Sequence, residues 1–155
     1  MTAKARLSHI ALPARSPRDV AAFYHDLLGL EVTVEGTLPP MGDFVFLSDR
    51  PAEVAQTLTL MTRAESKHTA WEVESLAALK QWYAEAKGRG AHVDFALNHR
   101  VSLSLYLHDP EGNGVEVFWA TGLTAAGMYA EPFDLAQLDQ PDDATLAILR
   151  GPVTA

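Results

Sequence analysis

The chain repeats itself, and that limits its possible folds more than anything else in the sequence. Displacing it by 59 positions, without gaps, lays His9 on His68, Ala11 on Ala70, Ser16 on Ser75, Phe23 on Trp82, Tyr24 on Tyr83, Asp26 on Glu85 and Gly29 on Gly88. Each copy must then form the same supersecondary unit, and each unit needs a neighbour to cover its apolar face. Both copies open on a histidine within an alternating run. Ser8, Ile10 and Leu12 oppose Leu7, His9 and Ala11, while Thr69, Trp71 and Val73 oppose His68, Ala70 and Glu72. Period-two alternation is the signature of a half-buried strand, so the histidines point away from the bulkier apolar face.

A helix follows each of these strands. Ser16-Pro17-Arg18-Asp19 offers an N-cap serine, a proline in the first turn and an early acid. Val20, Phe23, Tyr24, Leu27 and Leu28 recur at helical spacing and read as core packing, and Gly29 ends the helix. Ser75 caps the second helix, whose stripe is Leu76, Leu79, Trp82, Tyr83 and Ala86, with Gly88 and Gly90 as its stop. Three strands are expected after each helix: 31–35, 44–47 and 56–61 in the first copy, then 92–96, 101–107 and 114–119 in the second. Turn-forming runs separate them, among them Pro39-Pro40-Met41-Gly42 and Asp109-Pro110-Glu111-Gly112-Asn113-Gly114.

The fold class expected is therefore α+β. Two tandem βαβββ modules, at about 6–62 and 66–120, would form a concave mixed sheet within a domain spanning 1–120. Residues 121–155 lie outside the repeat and are acidic and proline-punctuated, with a short apolar segment at Pro132, Phe133, Leu135 and Leu138. They read as an extension that packs over the domain or a partner chain.

Composition narrows the chemistry. The 155 residues include no cysteine, which removes disulfides, thiolate metal sites and cysteine nucleophiles and leaves His, Asp and Glu as metal ligands. The absence of cysteine also fits a cytoplasmic location. With 12 Lys and Arg against 20 Asp and Glu, the net charge is −8, so nucleic acid is not an expected partner. No apolar run approaches the ~18 residues of a membrane span, and neither a span nor a signal peptide is expected.

Two imidazoles and one carboxylate on one face of a metal leave positions open for substrate and dioxygen, the arrangement common in non-haem Fe(II) enzymes. His9 and His68 begin the two copies, and Glu116 shares a strand side with Phe118 in the last strand of the second. A carboxylate in that setting is expensive to bury unless a cation neutralises it.

The two βαβββ copies, the openings Leu7-Ser8-His9-Ile10-Ala11-Leu12 and His68-Thr69-Ala70-Trp71-Glu72-Val73, and the Glu116 strand resemble the vicinal oxygen chelate superfamily. That group includes glyoxalases, bleomycin-resistance proteins and extradiol dioxygenases, and the likeness covers roughly residues 6–120. Residues 99–116 resemble the extradiol ring-cleavage signature: His99, five residues, Leu105-Tyr106, two residues, Asp109-Pro110, one residue, Gly112, three residues, Glu116. Leu97 departs from it, since a smaller, polar or branched residue is usual there. Residues 128–135 are similar to the ending that follows this module in catechol 2,3-dioxygenase relatives.

The resemblance implies an Fe(II)-dependent extradiol dioxygenase acting on a catechol-type diol, with His9, His68 and Glu116 as metal ligands. Mn(II), Ni(II) and Zn(II) are the alternative ions. It further implies that His99 and Tyr106 hydrogen-bond the substrate hydroxyls, with Gln56 and Phe118 lining the site. His25, His92 and His108 have no counterpart in the pattern and read as surface or packing residues. Relatives of this type usually carry a proton-relaying histidine in the fourth strand of the first copy, where this chain has Gln56 or a neighbour. A glutamine can donate a hydrogen bond but cannot relay a proton near neutral pH. Two other functions stay open: a metal-dependent isomerase or lyase of glyoxalase type, and a non-enzymatic sequestering protein of bleomycin-resistance type. A homodimer is expected, because sheet edges and the apolar part of the extension could pair two chains.

Overall fold

The computed structural model describes residues 3–125 and 127–149, so residues 150–155 of the expected extension lie outside the described part. The chain divides into two compact units, Leu7–Ala70 and the part from Trp71 onward together with the residues up to Arg6. The elements form an α+β arrangement in which one βαβββ series follows another.

The first unit contains β1 (Ala5–Pro13, entering it at Leu7), α1 (Pro17–Leu28), β2 (Glu31–Leu38), β3 (Gly42–Ser48) and β4 (Leu58–Met61). Its strand order is β2-β3-β4-β1, antiparallel until the parallel closing pair of β4 and β1. A parallel pair needs a crossover, and α1 lies within the chain segment that supplies it. The helix covers one sheet face, where Ala21 packs with Val45, Leu47, Leu58 and Leu60. The opposite face carries Ala11, Phe44, Phe46 and Met61, together with His9 two residues before Ala11 on β1.

The second unit takes up the chain within β5 (His68–Val73) and continues through α2 (Leu76–Gly88), β6 (Val93–Asn98), β7 (Ser102–His108) and β8 (Gly114–Ala120). The extension adds β9 (Glu131–Pro132), a 3-10 turn over Leu135–Asp139 and α3 (Asp142–Leu149). Strand order is β5-β8-β7-β6-β9. Leu76 and Leu79 of α2 pack on Val93, Ala96, Leu103, Leu105 and Val117, and Phe133 and Leu138 of the extension complete that core. An ion pair between Lys80 Nζ and Asp142 Oδ1 at 2.8 Å joins α2 to the start of α3.

Several local details differ from the sequence reading. Phe23, Leu27 and Leu28 of α1 are not core residues: they are 57%, 66% and 63% exposed. The helix meets its sheet through Pro17, Ala21, Val20 and Tyr24, and among the described residues no layer covers the neighbouring flank. Ser16 precedes α1 but makes no side-chain cap bond, whereas Ser75 accepts from the Ala78 N–H as a capping serine should. Gly88 is the last helical residue of α2 rather than its stop, and Gly90 takes the left-handed turn at φ 78°. The first copy's last strand begins at Leu58, so Gln56 precedes it. Near that point the Thr33 hydroxyl takes the Ala55 carbonyl, and the Gln56 side chain turns back to accept from Thr59 Oγ1 at 2.8 Å.

The contrast between the two helices gives a stability test. Leu105 is fully buried, so Leu105→Ala should cost about 2–5 kcal/mol in urea unfolding. Leu27→Ala, on the uncovered flank of α1, should change it by no more than about 0.5 kcal/mol.

Candidate functional site

In the first unit β1 carries His9 and the start of β5 carries His68. The two imidazoles meet edge to face, with ring centroids 5.4 Å apart and an interplanar angle of 76°. His68 Nδ1 lies 2.8 Å from the Ser66 carbonyl. A carbonyl only accepts, so Nδ1 carries the proton and Nε2 presents its lone pair. That lone pair points to His9, whose Nε2 is 3.3 Å away. Two imidazole nitrogens bound about 2.1 Å from one ion, at angles of about 90–110°, stand about 3.0–3.4 Å apart. The spacing and the fixed tautomer of His68 therefore fit a shared cation, and the Ser66 carbonyl is the kind of outer partner that orients a ligating histidine.

Gln56 belongs to the same group of side chains. Its Oε1 is committed to the Thr59 hydroxyl, which turns the amide Nε2 toward His9, at 3.5 Å from both ring nitrogens. Thr59 is buried, and alternation along β4 places it on the face opposite Leu58 and Leu60.

In the second unit the pairing of β7 with β8 sets Tyr106 opposite Glu116 and Ser104 opposite Phe118. All four side chains share the sheet face away from Leu103, Leu105 and Val117, as period-two geometry requires. The tight turn at 109–113 holds that register. The Asp109 carboxylate accepts from the backbone N–H groups of Glu111 and Asn113 and from the Asn113 side chain, at 2.8–2.9 Å. Its Asn113 hydrogen bonds, the side-chain one foremost, hold the Asp109 carboxyl below its usual range. The Asp-Pro-x-Gly part of the signature thus acts on the backbone, pinning the hairpin that aligns Tyr106 with Glu116.

Glu116 is buried and Tyr106 lies against it. Burial raises the phenol well above its ordinary pKa; the Glu116 charge and a hydrogen bond to Glu116 add to this, while the Ser104 hydroxyl opposes it. Tyr106 therefore remains a phenol across the neutral range. Its hydroxyl also lies 3.0 Å from His99 Nε2, while His99 Nδ1 donates to the Tyr129 carbonyl of the extension. A polar line results, running from Glu116 through Tyr106 and His99 to the main chain of residue 129.

Phe95 was not anticipated. It is half exposed and stacks on Tyr106 with centroids 4.8 Å apart and rings 16° from parallel. Its position opposite Tyr106 in the β6–β7 register follows a bulge between Val93 and Phe95, and a bulge of this kind is not legible in strand alternation. Phe118 is half buried beside Glu116, on the face the sequence indicated. His25, His92 and His108 are exposed; His25 bonds the Leu30 carbonyl, and the other two flank Asp94.

Residues 6–117 match the family model described as the Glyoxalase/Bleomycin resistance protein/Dioxygenase superfamily. Biphenyl-2,3-diol 1,2-dioxygenase 2 of Rhodococcus globerulus is 27% identical over 156 residues, which cover 98% of this chain and 73% of the relative. Among solved structures, a catechol 2,3-dioxygenase matches with TM-score 0.61 and 21% identity, over 87% of this chain and 48% of that one. The Mn(II)-bound glyoxalase from Novosphingobium aromaticivorans matches with TM-score 0.60 and 18% identity, over 74% of this chain and 37% of that one. This chain thus spans less than half the length of either structure. The family match covers well over half of the sequence, over the same two βαβββ series described above. The chain belongs to the glyoxalase/bleomycin resistance/dioxygenase superfamily.

Proposed function

We propose that the chain is an Fe(II)-dependent extradiol dioxygenase that opens the ring of a catechol-type aromatic diol. The observation that carries this reading is the polar line Glu116–Tyr106–His99 on one sheet face, in a chain related to a biphenyl-diol dioxygenase. The reaction consumes one dioxygen, breaks a ring carbon–carbon bond beside a hydroxylated carbon and retains both oxygen atoms in the ring-opened product.

In this reading His9, His68 and Glu116 hold the ion. Two neutral imidazoles and one carboxylate suit Fe(II), and also Mn(II), Ni(II) or Zn(II). When bound, the metal supplies a Lewis-acid platform for the two adjacent diol oxygens and for dioxygen.

The protein's own groups divide the remaining work. Tyr106, kept protonated, holds a diol oxygen by hydrogen bonding, and the Nε2 lone pair of His99 accepts the proton released as the diol binds. Phe118 and the stacked Phe95 give the aromatic ring apolar walls. Gln56, with its amide turned toward His9, supplies a neutral donor where relatives of this type usually place a histidine, so it can stabilise developing negative charge without relaying a proton.

That same amide favours one second reading, a glyoxalase-type isomerase in which a non-redox metal polarises a carbonyl and the amide stabilises the resulting anion. The structural likeness to a glyoxalase agrees with it. We also propose a homodimer, for which Phe23, Leu27 and Leu28 of α1 supply exposed apolar area. Light scattering should give twice the 16.9 kDa chain mass, and a single-chain mass would refute the dimer.

Protein loaded with Fe(II) without oxygen and then given a panel of catechols should take up dioxygen and form yellow ring-opened products. Silence with iron bound, together with turnover of a hemithioacetal on Ni(II) or Zn(II), would transfer the function to the second reading. Glu116→Ala should lose Fe(II) on gel filtration. Tyr106→Phe should retain iron while turnover falls by roughly 10²- to 10⁴-fold, the usual size of a lost proton-handling group.

A further inference from the structure

The turn between β6 and β7 contains the one described non-glycine residue with positive φ, Arg100 at 65°. Glycine is what this backbone region ordinarily selects, because any side chain there meets its own main chain. The conformation is nevertheless firmly held. The Arg100 N–H donates to Asn98 Oδ1 at 2.7 Å, and its carbonyl accepts from Thr121 Oγ1 at 2.7 Å. On either side, His99 N–H donates to the Ser102 carbonyl at 2.9 Å, and Thr121 N–H to the Val101 carbonyl at 2.9 Å. An arginine kept where glycine would fit more easily points to a use for its side chain.

That side chain grips the extension. Its guanidinium carbon lies 3.8 Å from the Tyr129 ring centroid, and Nη2 lies 3.5 Å from Glu131 Oε1. Glu131 also pairs in register with Asn98, so the extension returns along β6, the strand that leads into the turn. Within this grip the Tyr129 carbonyl receives the Nδ1 proton of His99. A neutral imidazole carries one ring proton; with Nδ1 occupied, Nε2 is left bare 3.0 Å from the Tyr106 oxygen, an acceptor that competes with the Glu116 carboxylate for the single phenol proton.

We propose that Arg100 is a positioning residue: by holding Tyr129 it locks His99 in the Nδ1–H form and presents the Nε2 lone pair to Tyr106. Its importance for turnover rests on the role given to His99 under the proposed function, but the tautomer itself needs neither metal nor substrate. Arg100 reaches neither the diol nor the ion, and acts through Tyr129 and His99.

The test is the ring-nitrogen NMR spectrum of the metal-free full chain, labelled with ¹⁵N and held above the ordinary titration range of imidazole. His99 in the unchanged protein should show a protonated Nδ1 and a bare, pyridine-like Nε2. Arg100→Gly suits the left-handed turn and removes only the grip. It should keep or raise the melting temperature while the Nε2 shift moves toward the protonated form. Tyr129→Ala removes the ring but not the carbonyl and should give the same shift, whereas Arg100→Lys, which keeps the charge, should restore part of the Nδ1–H form. A folded Arg100→Gly protein and a Tyr129→Ala protein that both retain the parent tautomer would overturn the proposal, as would an Nε2–H form in the unchanged protein. In the iron-loaded enzyme Arg100→Gly should lower kcat by tenfold or more with little change in KM. The predicted tautomer shift without ring cleavage in any form would refute the dioxygenase reading and leave the grip standing.

Discussion

The pairing of β7 with β8 decides what the second unit can present to a ligand. A slip of one residue in a strand pair turns every side chain to the other face. In the observed register Tyr106 faces Glu116 and Ser104 faces Phe118, while Leu103, Leu105 and Val117 enter the core. Hydrophobic burial on one face and the Asp109 turn at the hairpin end select the same register, so the polar line on the other face follows without further instruction. Local turn chemistry and long-range packing agree here, as expected of a sequence that specifies one fold.

A related economy governs the histidines. Each described ring of the candidate site has a main-chain carbonyl or a fixed amide to orient it: Ser66 for His68, Tyr129 for His99, and Gln56, itself turned by Thr59, for His9. Carbonyl oxygens cannot donate, so two of these contacts choose the tautomer as well as the ring position. An imidazole aimed in this way lends a lone pair to a cation or a phenol with little reorganisation, the condition under which electrostatic and proton-handling groups are most effective.

The βαβββ order, both helices and the shared face of Tyr106, Glu116 and Phe118 were legible in the sequence because each rests on a local period: 3.6 along a helix, two along a strand. The extradiol-like spacing was legible because the hairpin turn fixes it. What was not legible depended on partners distant in sequence. Phe23 and Leu27 hold the repeat positions of Trp82 and Ala86, yet it is the second helix that packs with the extension, with Lys80 tied to Asp142 and Leu138 in its core. The duplicated modules are alike in pattern, but the chain has one extension to distribute between them. Phe95 escaped notice because a bulge alters the phase of β6, and Arg100 because nothing in a hairpin sequence marks an arginine as left-handed.

The outer strands of the two units are finished differently. At β6 the extension contributes Glu131 and Pro132 as a two-residue strand, and a proline has no N–H with which to recruit a further strand. At β2 no described strand follows, and eight residues of main chain would offer a long row of donors and acceptors. That row is interrupted: a bulge lies between Val32 and Val34, Gly36 stands in mid-strand, and Glu31 and Glu35 place negative charges along it. Such features make an edge a poor template for a foreign strand. Removing them, for example by making Glu35 and Gly36 both β-branched, would turn the margin of the sheet into a surface prone to endless self-association.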